Sequence, residues 1–193
     1  MNFTLDRTSV VPRLVGDPND FLFVSALAGA TRDLLNLTKD GPNSFALSGG
    51  MGMTLSVGLG LALAQKNRRI MVIAGDGDVL MGIGSFATIA AIRPSNLSIL
   101  VVDNGIYQET GGQPTHTARG ANIELMARGA GIRNAITIDS ENDIETGSKI
   151  LRDQSETSLV VVRVSLVIAP RFPRENDANV IRARFKSNLG LPT

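Results

Sequence analysis

There is no cysteine among the 193 residues, which excludes disulfide staples, iron–sulfur ligation and thiol catalysis and is compatible with a reducing compartment. Charge of one sign is lacking too: 19 basic residues face 18 acidic ones, for a net charge of +1. A surface balanced in this way has no field with which to gather nucleic acid or an anionic membrane, so a small-molecule site or a protein partner is expected instead. No basic and apolar leader with a small-residue cleavage site opens the chain, so the cytoplasm is the expected location. Internal repeats and low-complexity tracts are missing as well. Residues 41–65 carry no charge, long enough to raise the question of a membrane span of about 20 residues. Their Gly-Pro-Asn-Ser and Ser-Gly-Gly stretches, followed by glycine and alanine, read instead as a loop and a closely packed buried helix.

What the chain does have is apolar, β-branched runs that stop abruptly. Residues 70–74 end on Gly75-Asp76-Gly77-Asp78, and residues 97–102 end on Asp103-Asn104-Gly105. Such runs read as strands buried on both faces. Between them, residues 79–92 carry apolar side chains at helical spacing, closed by Arg93-Pro94. Further strands are expected at 21–25, 45–47, 135–138 and 159–167, and further helices at 31–37, 54–65, 121–129 and 141–154. This alternation predicts an α/β fold with a doubly wound, mainly parallel sheet and helices on both faces. The length suits one domain with a sizeable core. Residues 1–20, with Pro12, Pro18 and no clear period, are expected to form an N-terminal arm; 21–168 form the binding domain, and 169–193 a tail that is helical over 176–186. Gly58 and Gly60 lie inside the helix 54–65 at about 1 kcal/mol each relative to alanine, a cost that close packing must offset.

The two strand ends carry the chemistry. In a strand–helix–strand crossover both carboxyl ends lie on one edge of the sheet, which sets Asp76 and Asn104 across a crevice. Glycine beside Asp76 lets the backbone turn sharply and approach a phosphate. A carboxylate aimed at phosphate repels it unless a divalent cation lies between the two. Asp76, Asn104 and a backbone carbonyl such as that of Ile106, with diphosphate oxygens and water, make up the six ligands of a magnesium ion. Singly, these residues have plainer readings: Asp76 as a turn or capping aspartate, Asn104-Gly105 as an ordinary turn, Met51 as core, and Asp78 as a helix N-cap. Only the pairing of the two strand ends lifts the metal reading above them.

Gly75-Asp76-Gly77, followed after 25 residues by Asp103-Asn104, resembles the signature of thiamine diphosphate-dependent enzymes, G-D-G followed by N-N. The sequence departs from it at Asp103, while the position of the inferred ligand, Asn104, is kept. Upstream, Ser48-Gly49-Gly50-Met51-Gly52-Met53 matches the G-G-[hydrophobic]-G segment of that family. Downstream, Glu109-Thr110-Gly111-Gly112-Gln113-Pro114-Thr115-His116-Thr117 is similar to the corresponding segment of phosphonopyruvate decarboxylases and of the sulfopyruvate decarboxylase β subunit. The resemblance runs from about Phe21 to Val167.

What the resemblance implies is a subunit that binds the diphosphate end of thiamine diphosphate with Mg2+ and serves in decarboxylation of a short 2-oxoacid. It implies cofactor contacts from Gly49, Gly50, Met51, Gly75, Asp76, Gly77, Asp78, Asn104, Ile106 and Tyr107. Within that set the Gly49 carbonyl accepts from the exocyclic amine, and Met51 wedges the cofactor into its bent form, which brings an internal base to the reacting carbon. The loop 105–120, with Gln108, Glu109 and Gln113, covers the diphosphate and substrate, and His116, the only histidine, is the candidate catalytic residue within it. Arg32 and Arg119 either meet an anionic substrate tail or are solvated surface charges. The activating glutamate of the family has no counterpart here, since no glutamate precedes Glu109; a separate pyrimidine-binding subunit is therefore expected to supply it, in a homo- or hetero-oligomer. The alternatives are a 2-oxoacid oxidoreductase subunit, which would need cluster-ligating cysteines, an acetolactate-synthase-like carboligase, and a cofactor-binding module without turnover. A nicotinamide dehydrogenase is disfavoured, because the glycines lack the G-x-G-x-x-G spacing.

Overall fold

The computed structural model describes residues 3–192. In chain order these form helix α1 (Arg7–Val15), strand β1 (Phe21–Ser25), α2 (Ala28–Thr38), β2 (Ser44–Ala46), α3 (Thr54–Ala64) and β3 (Arg69–Gly75). Helices α4 (Asp76–Met81) and α5 (Ser85–Ile92) lead to β4 (Leu97–Asp103), and a small hairpin follows, β5 (Ile106–Tyr107) with β6 (Gln113–Pro114). The chain continues through α6 (Ile123–Ala130), β7 (Asn134–Ile138), α7 (Ile144–Arg152), β8 (Ser158–Arg163) and α8 (Ala178–Asn188). Six strands make one sheet in the order β2-β1-β3-β4-β8-β7, and every pairing is parallel. This is the doubly wound α/β architecture that the alternation of strands and helices predicts.

Side chains alternate between two cores along each central strand, as the period of a pleated strand requires. On β3, Ile70, Val72 and Ala74 face a layer that includes Leu55 of α3, Val79 of α4, Phe86 of α5 and Phe185 of α8. Met71 and Ile73 face the opposite layer, with Leu14 of α1, Leu34 of α2 and Leu151 of α7. Helix α8 stacks Phe185 on Phe45 at 5.3 Å between ring centroids, and so covers the β2 edge of the sheet.

Three expectations are corrected. The stretch read as an arm contains α1, capped by Asp6 through the Thr8 amide at 2.8 Å, with Val10, Val11, Leu14 and Val15 buried; Pro12 in its interior had hidden the helical period. The single helix expected over 79–92 is two helices, broken at Gly82-Ile83-Gly84. A Cβ at Gly82 would overlap the carbonyl oxygen of Gly52, so the break lets the 49–53 loop press against the end of α4. The last strand ends at Arg163 rather than 167, because the chain then bridges to Leu5 and leaves Leu166, Val167 and Ile168 exposed. The two helical glycines divide as well. Gly58 lies where a Cβ would run into Val72, whereas Gly60 has open space above it.

Candidate cofactor site

The chain leaves β1 outward to β2 and returns inward to β3, so the sheet has a switch point between β1 and β3, where crevices form at the carboxyl ends of strands. A cavity of about 460 Å³ opens there, walled by the β1–α2 turn, the start of α4 and the end of β4. Adjacent parallel strands in the register Gly75↔Val102 bring Asp76 and Asn104 to the same edge. Both line the cavity. So do Met51, Gly75, Gly77, Asp78, Ile106, Tyr107 and His116. Gly49 and Gly50 belong to the same loop as Met51 but stand outside the cavity wall. Gly77 is kept bare by the Tyr107 ring, which occupies the space of any Cβ.

Asp76 is only 2% exposed. Its Oδ2 accepts from the hydroxyl of Thr115 and lies 3.0 Å from that of Thr117. Thr117 Oγ1 also sits 2.8 Å from Asp103 Oδ1. A hydroxyl has one proton and cannot donate to two carboxylates at once, so this cluster favours a proton on one of the acids. The acidities follow: burial, then the neighbouring charge of Asp103, pushes Asp76 up to about 6 against the pull of the two threonines. Burial likewise raises Asp103, opposed by Thr117, the Gly105 amide and Arg163. Asn104 makes a turn of its own, its Oδ1 accepting from the Ile106 amide at 3.2 Å, and Gly105 takes the positive φ (71°) that the turn demands.

Asp78 is not the N-cap expected of it. It lies in the first turn of α4, where its Oδ1 accepts from the Gly52 amide at 2.6 Å and its Oδ2 from Thr54 Oγ1. It thereby ties the 49–53 loop to the strand end that carries Asp76. Burial raises its pKa as well, offset in part by those two bonds.

Other residues of the site gave little sign of themselves in the sequence. The amino end of α2, at Leu27–Ala30, lines the cavity with no side-chain cap, so its free amides make an anion-binding end. Arg7 reaches the same cavity from α1, 2% exposed, and is held by Asp33 through Nε to Oδ1 at 3.0 Å and Nη2 to Oδ2 at 2.6 Å. Nothing in the sequence pairs residues so far apart. Thr115 and Thr117 lie within the segment 109–117 that carries the downstream resemblance, yet only packing gives them a role. Of the two arginines left open, Arg32 is 2.6 Å from Glu109.

A doubly wound parallel domain with an acid and an amide at neighbouring strand ends, beside an uncapped helix, defines a class of domains built to hold a diphosphate at a switch point. The family described as "Thiamine pyrophosphate enzyme, C-terminal TPP binding domain" matches residues 31–162, and the chain belongs to it. The β subunit of sulfopyruvate decarboxylase from Methanocaldococcus jannaschii is 31% identical over 81% of this chain and 82% of its own length. Phosphonopyruvate decarboxylase from Streptomyces viridochromogenes is 37% identical over 96% of this chain, which spans 47% of that longer protein. Among solved structures, the thiamine diphosphate-dependent 4-hydroxybenzoylformate decarboxylase of Rhodococcus jostii RHA1 has the same fold, at a TM-score of 0.69 and 20% identity, over 86% of this chain and 34% of that one.

Proposed function

We propose that this chain is the diphosphate-binding subunit of a thiamine diphosphate- and Mg2+-dependent decarboxylase, a carboxy-lyase acting on a short 2-oxoacid of the sulfopyruvate or phosphonopyruvate kind. The observation that carries the reading is the parallel register of β3 and β4, which leaves Asp76 and Asn104 on one cavity. Both threonine hydroxyls meet Asp76 at Oδ2, which supports Oδ1 as the oxygen that would ligate a cation. Asn104 and the Ile106 carbonyl complete the protein's share, and such a mixed oxygen set suits Mg2+, which retains water and phosphate ligands. The amides at the start of α2 take up further diphosphate charge. Gly75, Gly77, Asp78 and Tyr107 shape the floor of the site, and Met51 supports the cofactor from the loop that includes Gly49 and Gly50. His116 faces the substrate end, from the 105–120 loop. When bound, thiamine diphosphate supplies the carbon nucleophile and the electron sink that decarboxylation needs.

The partner follows from the same reading. Relatives of similar length carry the name of a β subunit, and a separate pyrimidine-binding chain would bring the activating glutamate. Met81 on the cavity wall and Met53 of the adjoining 49–53 loop support this: they are 67% and 56% exposed, apolar surface open to a partner. The balanced charge of the chain supports an assembly without nucleic-acid or anionic-membrane attachment, for which we propose the cytoplasm; among the described residues no helix is long and apolar enough to cross a membrane.

Calorimetry of the cofactor with Mg2+ tests the reading. Asp76→Ala is expected to weaken metal-dependent binding by at least about 100-fold, more than the 10- to 100-fold typical of losing an outer-shell partner. Unchanged affinity would remove Asp76 from the metal and the reading with it.

A further inference from the structure

A second cavity, of about 330 Å³, adjoins the first and shares Leu27, Ala28 and Glu109 with it. Its own wall is basic: Arg32 comes from α2, and Arg171 and Arg174 from the segment between β8 and α8. That segment is tied down at both ends. Asn36 Nδ2 donates to the Pro170 carbonyl at 2.8 Å, and Asp40 Oδ2 accepts from the Glu175 amide at 2.9 Å. The strap between these anchors therefore crosses α2 in a fixed position, with Arg171 and Arg174 on the cavity.

The charges in this cavity do not balance. Glu109, its one acid, is engaged by Arg32 at 2.6 Å. Among the described residues, neither Arg171 nor Arg174 makes an ion pair. Arg174 uses Nε on Asn176 Oδ1 at 3.1 Å, which fixes the guanidinium and leaves its terminal amines. The backbone is also unusual here. Ala28 and Ser48, both on this wall, hold φ of 58° and 59°, a left-handed conformation that non-glycine residues adopt at a cost and that clusters at ligand sites.

We propose that this cavity is the subsite for the anionic tail of the substrate, a sulfonate, phosphonate or carboxylate, with Arg171 and Arg174 as its charge partners and the Arg32–Glu109 pair at the junction with the cofactor cavity. The proposal rests on the decarboxylase reading, since a short 2-oxoacid reacting in the first cavity has its tail only a few bonds away. Guanidinium groups suit such tails because their planar N–H forks match the oxygens of an oxyanion.

The test uses the full chain with thiamine diphosphate and Mg2+, and phosphonoacetate as an unreactive probe of the tail. Wild type is expected to bind phosphonoacetate in calorimetry, Arg171→Gln/Arg174→Gln to bind it about 10-fold or more weakly, and Arg182→Gln, which loses a charge on the exposed side of α8, to bind it as wild type does. No binding by wild type, or equal binding by the double variant, overturns the subsite. With the partner chain added, the double variant should raise KM for phosphonopyruvate or sulfopyruvate while leaving pyruvate unaffected. Turnover with a KM indifferent to the arginines overturns the subsite and leaves the decarboxylase standing. Arginine-dependent phosphonoacetate binding without turnover of any 2-oxoacid, whichever partner is supplied, upholds the subsite and overturns the decarboxylase.

Discussion

Two buried carboxylates share one threonine hydroxyl, and that arrangement sets how the site responds to pH. Asp76, raised to about 6, holds its proton more tightly folded than unfolded. Its contribution to the stability of the metal-free protein is therefore full below the ordinary carboxylate range and is lost as pH rises through about 6. A cation requires the opposite charge state. Metal-dependent cofactor binding should weaken as pH falls through about 6, and the thermal shift produced by cofactor with Mg2+, followed from pH 8 to pH 5, checks this. The charges facing Asp76 are Asp103 and, through Asp103, Arg163. Asp103→Asn restores the residue that the resembled signature carries and removes the charge that helps raise Asp76. The midpoint of the binding curve should move to lower pH in that variant, and an unmoved midpoint would leave burial as the sole cause.

At the scale of the element, glycines in one helix have opposite meanings. Gly58 of α3 lets the helix sit directly on Val72 of β3, while Gly60 faces open space. Gly60→Ala should stabilise by roughly 0.5–1 kcal/mol from helix propensity. Gly58→Ala gains the same propensity but forces a methyl into the core, at a cost of about 1–3 kcal/mol or more, and so should destabilise. Thermal unfolding separates the two, at about 2–4 °C per kcal/mol for a chain of this size. Helix α1 gives a harsher case. Asp33→Ala would strand Arg7 in the interior without its partner, a loss of about 3–5 kcal/mol visible in denaturant unfolding. The expectation of close packing for the 54–65 helix thus holds at one glycine and fails at the other, because helical periodicity does not say which side of a helix meets a strand.

For the whole molecule, the central question is what completes the crevice. Met81 stands exposed on its wall, and the chain covers only 47% of a related phosphonopyruvate decarboxylase but 82% of a related β subunit. With 2-oxoacid, cofactor and Mg2+, the chain alone should bind cofactor without measurable carbon dioxide release, and a pyrimidine-binding chain bearing the glutamate should restore it. Release by the chain alone would overturn the proposed need for a partner's glutamate.

The sequence by itself determined the alternation of buried strands and helices, hence the parallel sheet, and the strand ends at Asp76 and Asn104, because apolar runs and the residues that stop them are local signals. It also carried the family, through motifs contiguous along the chain. Only the tertiary structure decided that the first helix belongs to the core, that Asp78 clasps the 49–53 loop, that Asp103 and Thr117 tune Asp76, and that Arg171 and Arg174 line a cavity beside the cofactor site. Each of these depends on residues far apart in sequence coming within hydrogen-bond or packing distance, and such proximity is fixed by how the layers stack and leaves no period, spacing or composition for a sequence to display.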